Sequence, residues 1–186
     1  MDTISDTSQE STVLFHVSEE PGIVEFSPRP SKYTQDPVVW AVNEEKIRNF
    51  LLPRDCPRVT YYADANTVPE DSARFLGTSA AIVAIEASWW NRIRAFTLFS
   101  YHLPSEAFTC IDECAGYFVS RESVRPLQVE IIEDPIAALL ARGVELRILP
   151  TLGPLRDSVV ASTLQFSIIR MRNANAGRPA TQVERG

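Results

Sequence analysis

Glycine is scarce in this chain, with seven among 186 residues. Neither G-x-G-x-x-G nor G-x4-G-K-S/T occurs, which excludes the two glycine-rich loops that cradle nucleotide phosphates on backbone amides. Histidine is scarcer, with His16 and His102 alone. The three cysteines are Cys56, Cys110 and Cys114, and an odd count cannot close a disulfide framework. Cys110-x3-Cys114 would set two thiols one turn apart on a helix, but a zinc site needs two more ligands. Small buried thiols and no metal are therefore expected. No apolar run approaches the roughly 18 residues that span a bilayer, so no membrane association is expected. Met1–Thr12 is polar and acidic and lacks the basic start and apolar stretch of a secretory signal, so the expected location is the cytoplasm. Basic charge is also short. Eighteen Lys and Arg face 24 Asp and Glu, a formal net charge of −6, which argues against bulk electrostatic binding of nucleic acid or anionic lipid.

What is present is the balance of an ordinary globular chain, 45% hydrophobic and 23% charged residues. Residues 1–11 and 175–186 lack apolar spacing and read as disordered tails. Residues 12–174 read as one domain. Val13–Ser18 alternates as a first strand, with Phe15 on one face and Leu14, His16 and Ser18 on the other. Glu19-Glu20-Pro21-Gly22 is a turn. Ile23–Phe26 is either a short extended piece or a single turn. Val38–Val42, apolar on both faces, reads as a buried inner strand. Asn43 suits an N-cap, and Ile47, Phe50 and Leu51 repeat at helical spacing up to Pro53.

Strands are expected at Arg58–Tyr62, Ala80–Glu86, Thr97–Leu103, Tyr117–Arg121, Leu127–Ile132 and Val144–Leu149. Helical segments are expected at Glu70–Leu76, Trp89–Ile93, Ser105–Cys114 and Pro135–Arg142, the last closed by Gly143. Pro154 to about Ala174 approximates a long helix, with strand as the rival after Ser162. This order lacks regular strand–helix alternation. It predicts the α+β class, with mixed or antiparallel twisted sheets and flanking helices.

His16 with Ser18 is the sharpest chemical feature. The two side chains leave one strand face about 7 Å apart, and an imidazole titrates near neutrality, so it can serve as acid or base. A buried histidine bonded to a backbone carbonyl is the structural alternative. Pro53-Arg54-Asp55-Cys56-Pro57-Arg58 is a stiff loop whose two arginines could fork onto a carboxylate or phosphate. It could equally be a knot in which Asp55 pairs with an arginine. Arg170 and Arg172 stand near the C-terminal end, either complementing a helix dipole or lining a pocket. Glu86 ends a strand and Glu122 follows Arg121; each is either a catalytic carboxylate or a solvated acid. Trp40, Trp89 and Tyr101 could wall an apolar pocket or pack a core.

The run Leu14-Phe15-His16-Val17-Ser18, then Phe26-Ser27-Pro28-Arg29, then Val39-Trp40-Ala41 resembles the opening of ADP-ribosyltransferase-like folds, a group that includes the RNA 2′-phosphotransferases. Ala115-Gly116-Tyr117-Phe118-Val119-Ser120 and Arg125-Pro126-Leu127 resemble their second-half strands. Across nearly the whole folded part, Phe15-His16-Val17-Ser18, Pro53–Arg58 and Ile169–Asn173 resemble a small family known only as a domain of unknown function. The transferase resemblance implies an ADP-ribosyltransferase-like fold in which His16 binds a ribose, with NAD as a possible substrate. It also implies a glutamate in the second half, for which Ser120-Arg121-Glu122 is the nearest match.

Three readings follow. The first is a small enzyme acting on a nucleotide or other anionic small molecule. It uses His16, Ser18 and Arg29, with Arg54 and Arg58 for the anionic group and Glu122 or Glu86 for developing positive charge. The second is a cofactor-independent cyclase, isomerase or hydrolase with His16 as acid and base and Trp40, Trp89 and Tyr101 as its apolar wall. The third is a non-catalytic module that binds a small molecule.

Overall fold

The computed structural model describes residues 13–175. The expected disordered tails, 1–11 and 175–186, lie outside the described residues apart from Asn175. In chain order the described residues form β1 (Val13–Ser18), β2 (Val39–Val42), β3 (Arg58–Tyr62), α1 (Pro69–Phe75), β4 (Ala81–Glu86) and α2 (Trp90–Arg94). There follow β5 (Leu98–Pro104), β6 (Thr109–Asp112), β7 (Tyr117–Ser120), β8 (Gln128–Ile132), α3 (Pro135–Ala141), β9 (Val144–Leu149), α4 (Gly153–Val160) and β10 (Gln165–Ile169). The class is α+β. The chain divides into two compact units, Met1–Ile47 with Phe99–Ile131, and Arg48–Leu98 with Ile132–Gly186.

The first unit holds a six-stranded sheet in the order β6-β7-β2-β1-β5-β8. β1 pairs antiparallel with β2 and β5, and β7 pairs antiparallel with β2 and β6. β2 is thus the inner strand that its two apolar faces predict. Leu14, Val39, Ala41, Tyr101, Leu103, Phe26 and Val124 make one buried cluster on this sheet. Phe26 and Val124 reach it because their backbones exchange two hydrogen bonds, 2.8 and 2.9 Å, which fold Ile23–Phe26 into a cover.

The second unit holds a mixed sheet, β10-β3-β4-β9. β3 is antiparallel to β4 and β10, whereas β4 and β9 run parallel from Ala81↔Val144 to Glu86↔Leu149. All six residues of β4 are buried, as expected of a strand covered on both faces. α3 is capped by Asp134, whose Oδ1 accepts the Ile136 and Ala137 N–H groups, and packs against β9. Val59, Tyr61, Ile82, Ala84, Phe75, Leu152, Val159 and Leu164 share a core.

Three segments depart from their local pattern. The helix expected from Asn43 to Leu51 is a turn followed by one 3-10 turn, Ile47–Asn49. Asn43 does cap it, its Oδ1 accepting the Lys46 N–H at 3.0 Å. A continuing helix would need Pro53 to donate to the Asn49 carbonyl, and proline has no N–H. The Arg58 Nε–H takes that carbonyl instead, at 2.7 Å. The helix expected at Ser105–Cys114 is a 3-10 turn and then β6, because Gly116 at φ +64° closes a hairpin to β7. Cys110 and Cys114 are consequently exposed, contrary to the expected burial, and Cys56 alone is buried. The long C-terminal helix stops at Val160, and β10 replaces its second half, the rival foreseen after Ser162.

Candidate functional site

β1 positions the histidine. Phe15 pairs with Val42, so Phe15 and Trp40 share one face of the sheet and His16 takes the other. On that other face Leu14, His16 and Ser18 stand opposite Leu103, Tyr101 and Phe99 of β5. The expected apolar wall is therefore split. Tyr101 sides with His16, whereas Trp40 turns away and stacks edge-on between Tyr33 and Tyr117, with ring centroids 6.4 and 5.7 Å apart. Trp89 lies in the second unit, with Arg92 4.9 Å above its ring.

The half-buried His16 donates its Nδ1–H to the Trp40 carbonyl at 2.8 Å. This bond fixes the ring's orientation and makes Nε2 the nitrogen that gains or loses a proton without breaking it. The imidazole lies 4.7 Å from the Phe26 ring, which in turn meets Tyr101 edge-on at 5.1 Å. Tyr101 is fully buried. Its hydroxyl donates to the Glu20 carbonyl at 2.7 Å and accepts the Ile23 N–H at 3.1 Å. It holds the cover in place.

Strand directions collect Ser18, Arg29 and Glu122 at one end of this sheet, two residues beyond His16, and the Arg29↔Val38 bridge sets Arg29 on the Trp40 face, opposite His16. β1 and β7 are each antiparallel to β2, so both end where β2 begins. Ser18 closes β1, its Oγ accepting the Glu20 N–H at 3.0 Å. Arg29 exchanges two 3.0 Å backbone bonds with Val38, just before β2, and its side chain is exposed. Glu122 follows β7. The Ser120 hydroxyl accepts its N–H and donates to its carbonyl, each at 3.1 Å, while the carboxylate is exposed. Ser120 as the anchor of Glu122 had no signal in the sequence, since a serine at a strand end is commonplace. The cover was equally hidden, because one isolated bridge, Phe26–Val124, joins residues 98 positions apart.

The remaining candidates lie in the second unit, and most are occupied by the fold. Glu86 is fully buried; its Oε1 accepts the Leu152 N–H at 3.3 Å, and both carboxylate oxygens accept the Asn175 N–H at 3.0 and 3.1 Å. The buried Arg58 guanidinium donates to the Asn49, Pro53 and Cys56 carbonyls at 2.7, 3.1 and 3.0 Å. Arg170 takes a left-handed φ of 56°, donates its Nε–H to the Arg54 carbonyl at 3.3 Å and lies 3.7 Å from Asp55 Oδ1. The Asn173 amide donates to the Asp55 carbonyl at 2.7 Å. These contacts tie the Pro53–Arg58 loop to the end of β10. Arg54 and Arg172 have exposed side chains. Burial pushes the Cys56 thiol up to about 12 despite the nearby Arg58 and Arg92.

Among the described residues no three His, Cys, Asp or Glu side chains cluster as metal ligands, and no helix is long and apolar enough to cross a membrane. An open depression of about 370 Å³ lies beside Asp71, Arg74, Asp157 and Ser158 in the second unit, and it contains none of the residues singled out from the sequence.

The pattern that defines a family of unknown function, DUF6886, matches residues 15–174. No curated protein and no solved structure matches the chain.

Proposed function

The chain belongs to the DUF6886 family, whose function is unknown, and from its geometry we propose a small enzyme that binds a nucleotide or other anionic small molecule at the His16 end of the first unit's sheet. One observation supports this reading: the half-buried His16 imidazole, oriented by the Trp40 carbonyl, shares a strand face with Ser18 two residues from the sheet end that Arg29 and Glu122 flank. Sheet ends of this kind place side chains from separate strands around one ligand while the backbone stays rigid.

Each residue type has a role there. The exposed Arg29 guanidinium offers forked donors to a phosphate or carboxylate. His16 Nε2 bonds a ribose hydroxyl or exchanges a proton with the substrate. The Glu122 carboxylate, anchored through its backbone, stabilises positive charge that develops on a sugar ring. The resemblance of Leu14–Ser18 and Phe26–Arg29 to ADP-ribosyltransferase-like folds supports a ribosyl substrate, with NAD as the first compound to try. Arg58 and Glu86 do not enter this reading, because backbone groups of the second unit already occupy them.

The test is thermal unfolding with NAD and with ADP-ribose at millimolar concentration. A ligand at about ten times its Kd adds roughly 1.4 kcal/mol, which for a chain of this size raises Tm by about 3 °C. His16→Ala and Arg29→Ala should abolish the shift while leaving the ligand-free Tm within a few degrees of wild type. A flat response to both compounds, or an undiminished shift in His16→Ala, overturns the proposal.

A further inference from the structure

β10 ends at Ile169, and the chain turns sharply after it. Arg170 makes that turn at φ 56° and ψ 28°, in the left-handed region, and among the described residues it is the only non-glycine with a positive φ. A residue with a Cβ keeps that conformation only where its surroundings hold it. The holding contacts run along residues 170–175, which form a strap within the second unit. At its near end the Arg170 side chain donates to the Arg54 carbonyl. In its middle the Asn173 amide donates to the Asp55 carbonyl. At its far end the Asn175 N–H donates to both oxygens of Glu86, and the Asn175 side-chain amide lies 3.5 Å from Ser88 Oγ. Apolar burial adds little. Met171 packs against the core, whereas Arg172, Asn173 and Asn175 are exposed. A segment held by a few hydrogen bonds belongs to the least stable part of a fold and opens locally.

Two fully buried groups stand at the anchor points of this strap. Cys56 follows Asp55 in the chain, and Glu86 takes the far bond. The two are neighbours, because the Glu86 charge acts on the Cys56 thiol. We propose that residues 170–175 are a gate over Cys56, with the Asn175 N–H on the Glu86 carboxylate as its latch. The latch bond is charge-assisted. Its loss also works from beneath. Without it the buried carboxylate keeps only the Leu152 N–H among the described residues, and a buried charge short of partners is costly until water reaches it. Water that enters there rehydrates Cys56 beside Arg58 and Arg92, a setting that favours the thiolate. The gate therefore separates an inert thiol from a reactive one. This inference does not rest on the His16 site.

The test is labelling of Cys56 by a disulfide reagent at pH 8, in the full chain carrying Cys110→Ser and Cys114→Ser so that one thiol remains. Asn175→Pro removes the latch N–H, and Ala174, at φ −72° and ψ 149°, already has the conformation that precedes a proline. This variant should label at least roughly tenfold faster than its parent without denaturant, with the circular dichroism spectrum unchanged. Its rate should change little with urea below the unfolding transition, because opening a strap exposes little surface. Asn173→Ala, which removes the middle anchor, should act in the same direction. Asp71→Ala removes hydrogen bonds to Thr163, outside the strap, and should leave labelling slow. A Cys56 that stays unlabelled in both strap variants, a rate with the steep urea dependence of global unfolding, or equal acceleration by Asp71→Ala overturns the inference.

Discussion

Cys56 sits in a charged loop of the second unit, between Arg54, Asp55 and Arg58, and neighbouring arginines are the kind of setting that activates a thiol. Its environment has the opposite effect. The side chain is fully buried, and the loss of hydration outweighs the attraction of Arg58 and Arg92, so the pKa rises to about 12. A neutral thiol is a poor nucleophile. Native protein at pH 8 should therefore titrate two fast thiols with a disulfide reagent, Cys110 and Cys114, and release the third only on denaturation. The same shift sets a pH dependence. The unfolded thiol ionises near 9.0 and the folded one near 12, so its contribution to stability is fully present below pH 9. It is lost as pH rises toward the folded value, because the unfolded chain sheds the proton first. Urea midpoints should fall between pH 9 and pH 11 in wild type and fall less in Cys56→Ala. Three fast thiols in native protein would show that the loop opens to solvent.

At the scale of elements, Asp71 illustrates how a distant partner overrides a local pattern. Its Oδ2 accepts the Thr163 N–H and the Thr163 hydroxyl, both at 2.7 Å, and the Thr163 hydroxyl accepts the Val68 N–H at 3.0 Å. The start of α1 is thereby stapled to the connection between α4 and β10, just where the sequence suggested a continuous helix. The donated backbone bond from Thr163 holds the Asp71 carboxyl below its usual 3.8. Its contribution to stability is therefore present above 3.8 and lost as pH falls through the folded value. Asp71→Ala should lower the urea midpoint at pH 7, and the gap from wild type should close as the pH drops below about 3.8. A gap that persists in acid would assign the effect to packing rather than charge. Elements whose side chains alternate or repeat strongly, such as β1, β3, β4 and α3, are legible in the sequence because local pattern and tertiary environment agree. The Asn43–Leu51 helix fails because Pro53 cannot donate to the Asn49 carbonyl, which Arg58 takes instead, and the choice between helix and strand after Ser162 goes to strand, where β10 pairs with β3 and Asp71 holds Thr163. The site is half legible for the same reason. Alternation places His16 and Ser18 on one face, but the face of Trp40 depends on the Phe15↔Val42 register, which no local pattern encodes.

Over the whole molecule, the two units are interleaved in sequence, with the chain changing unit after Ile47, Leu98 and Ile131. None of these points carries a linker-like composition, which is why the sequence reads as a single stretch. Net charge is the property that belongs to the whole chain. At −6 it opposes bulk binding of polyanions, so a double-stranded DNA fragment at about 0.15 M salt should show no mobility shift with the protein. A shift that fades as salt rises would place a concentrated basic surface on the fold, strong enough to outweigh the net charge.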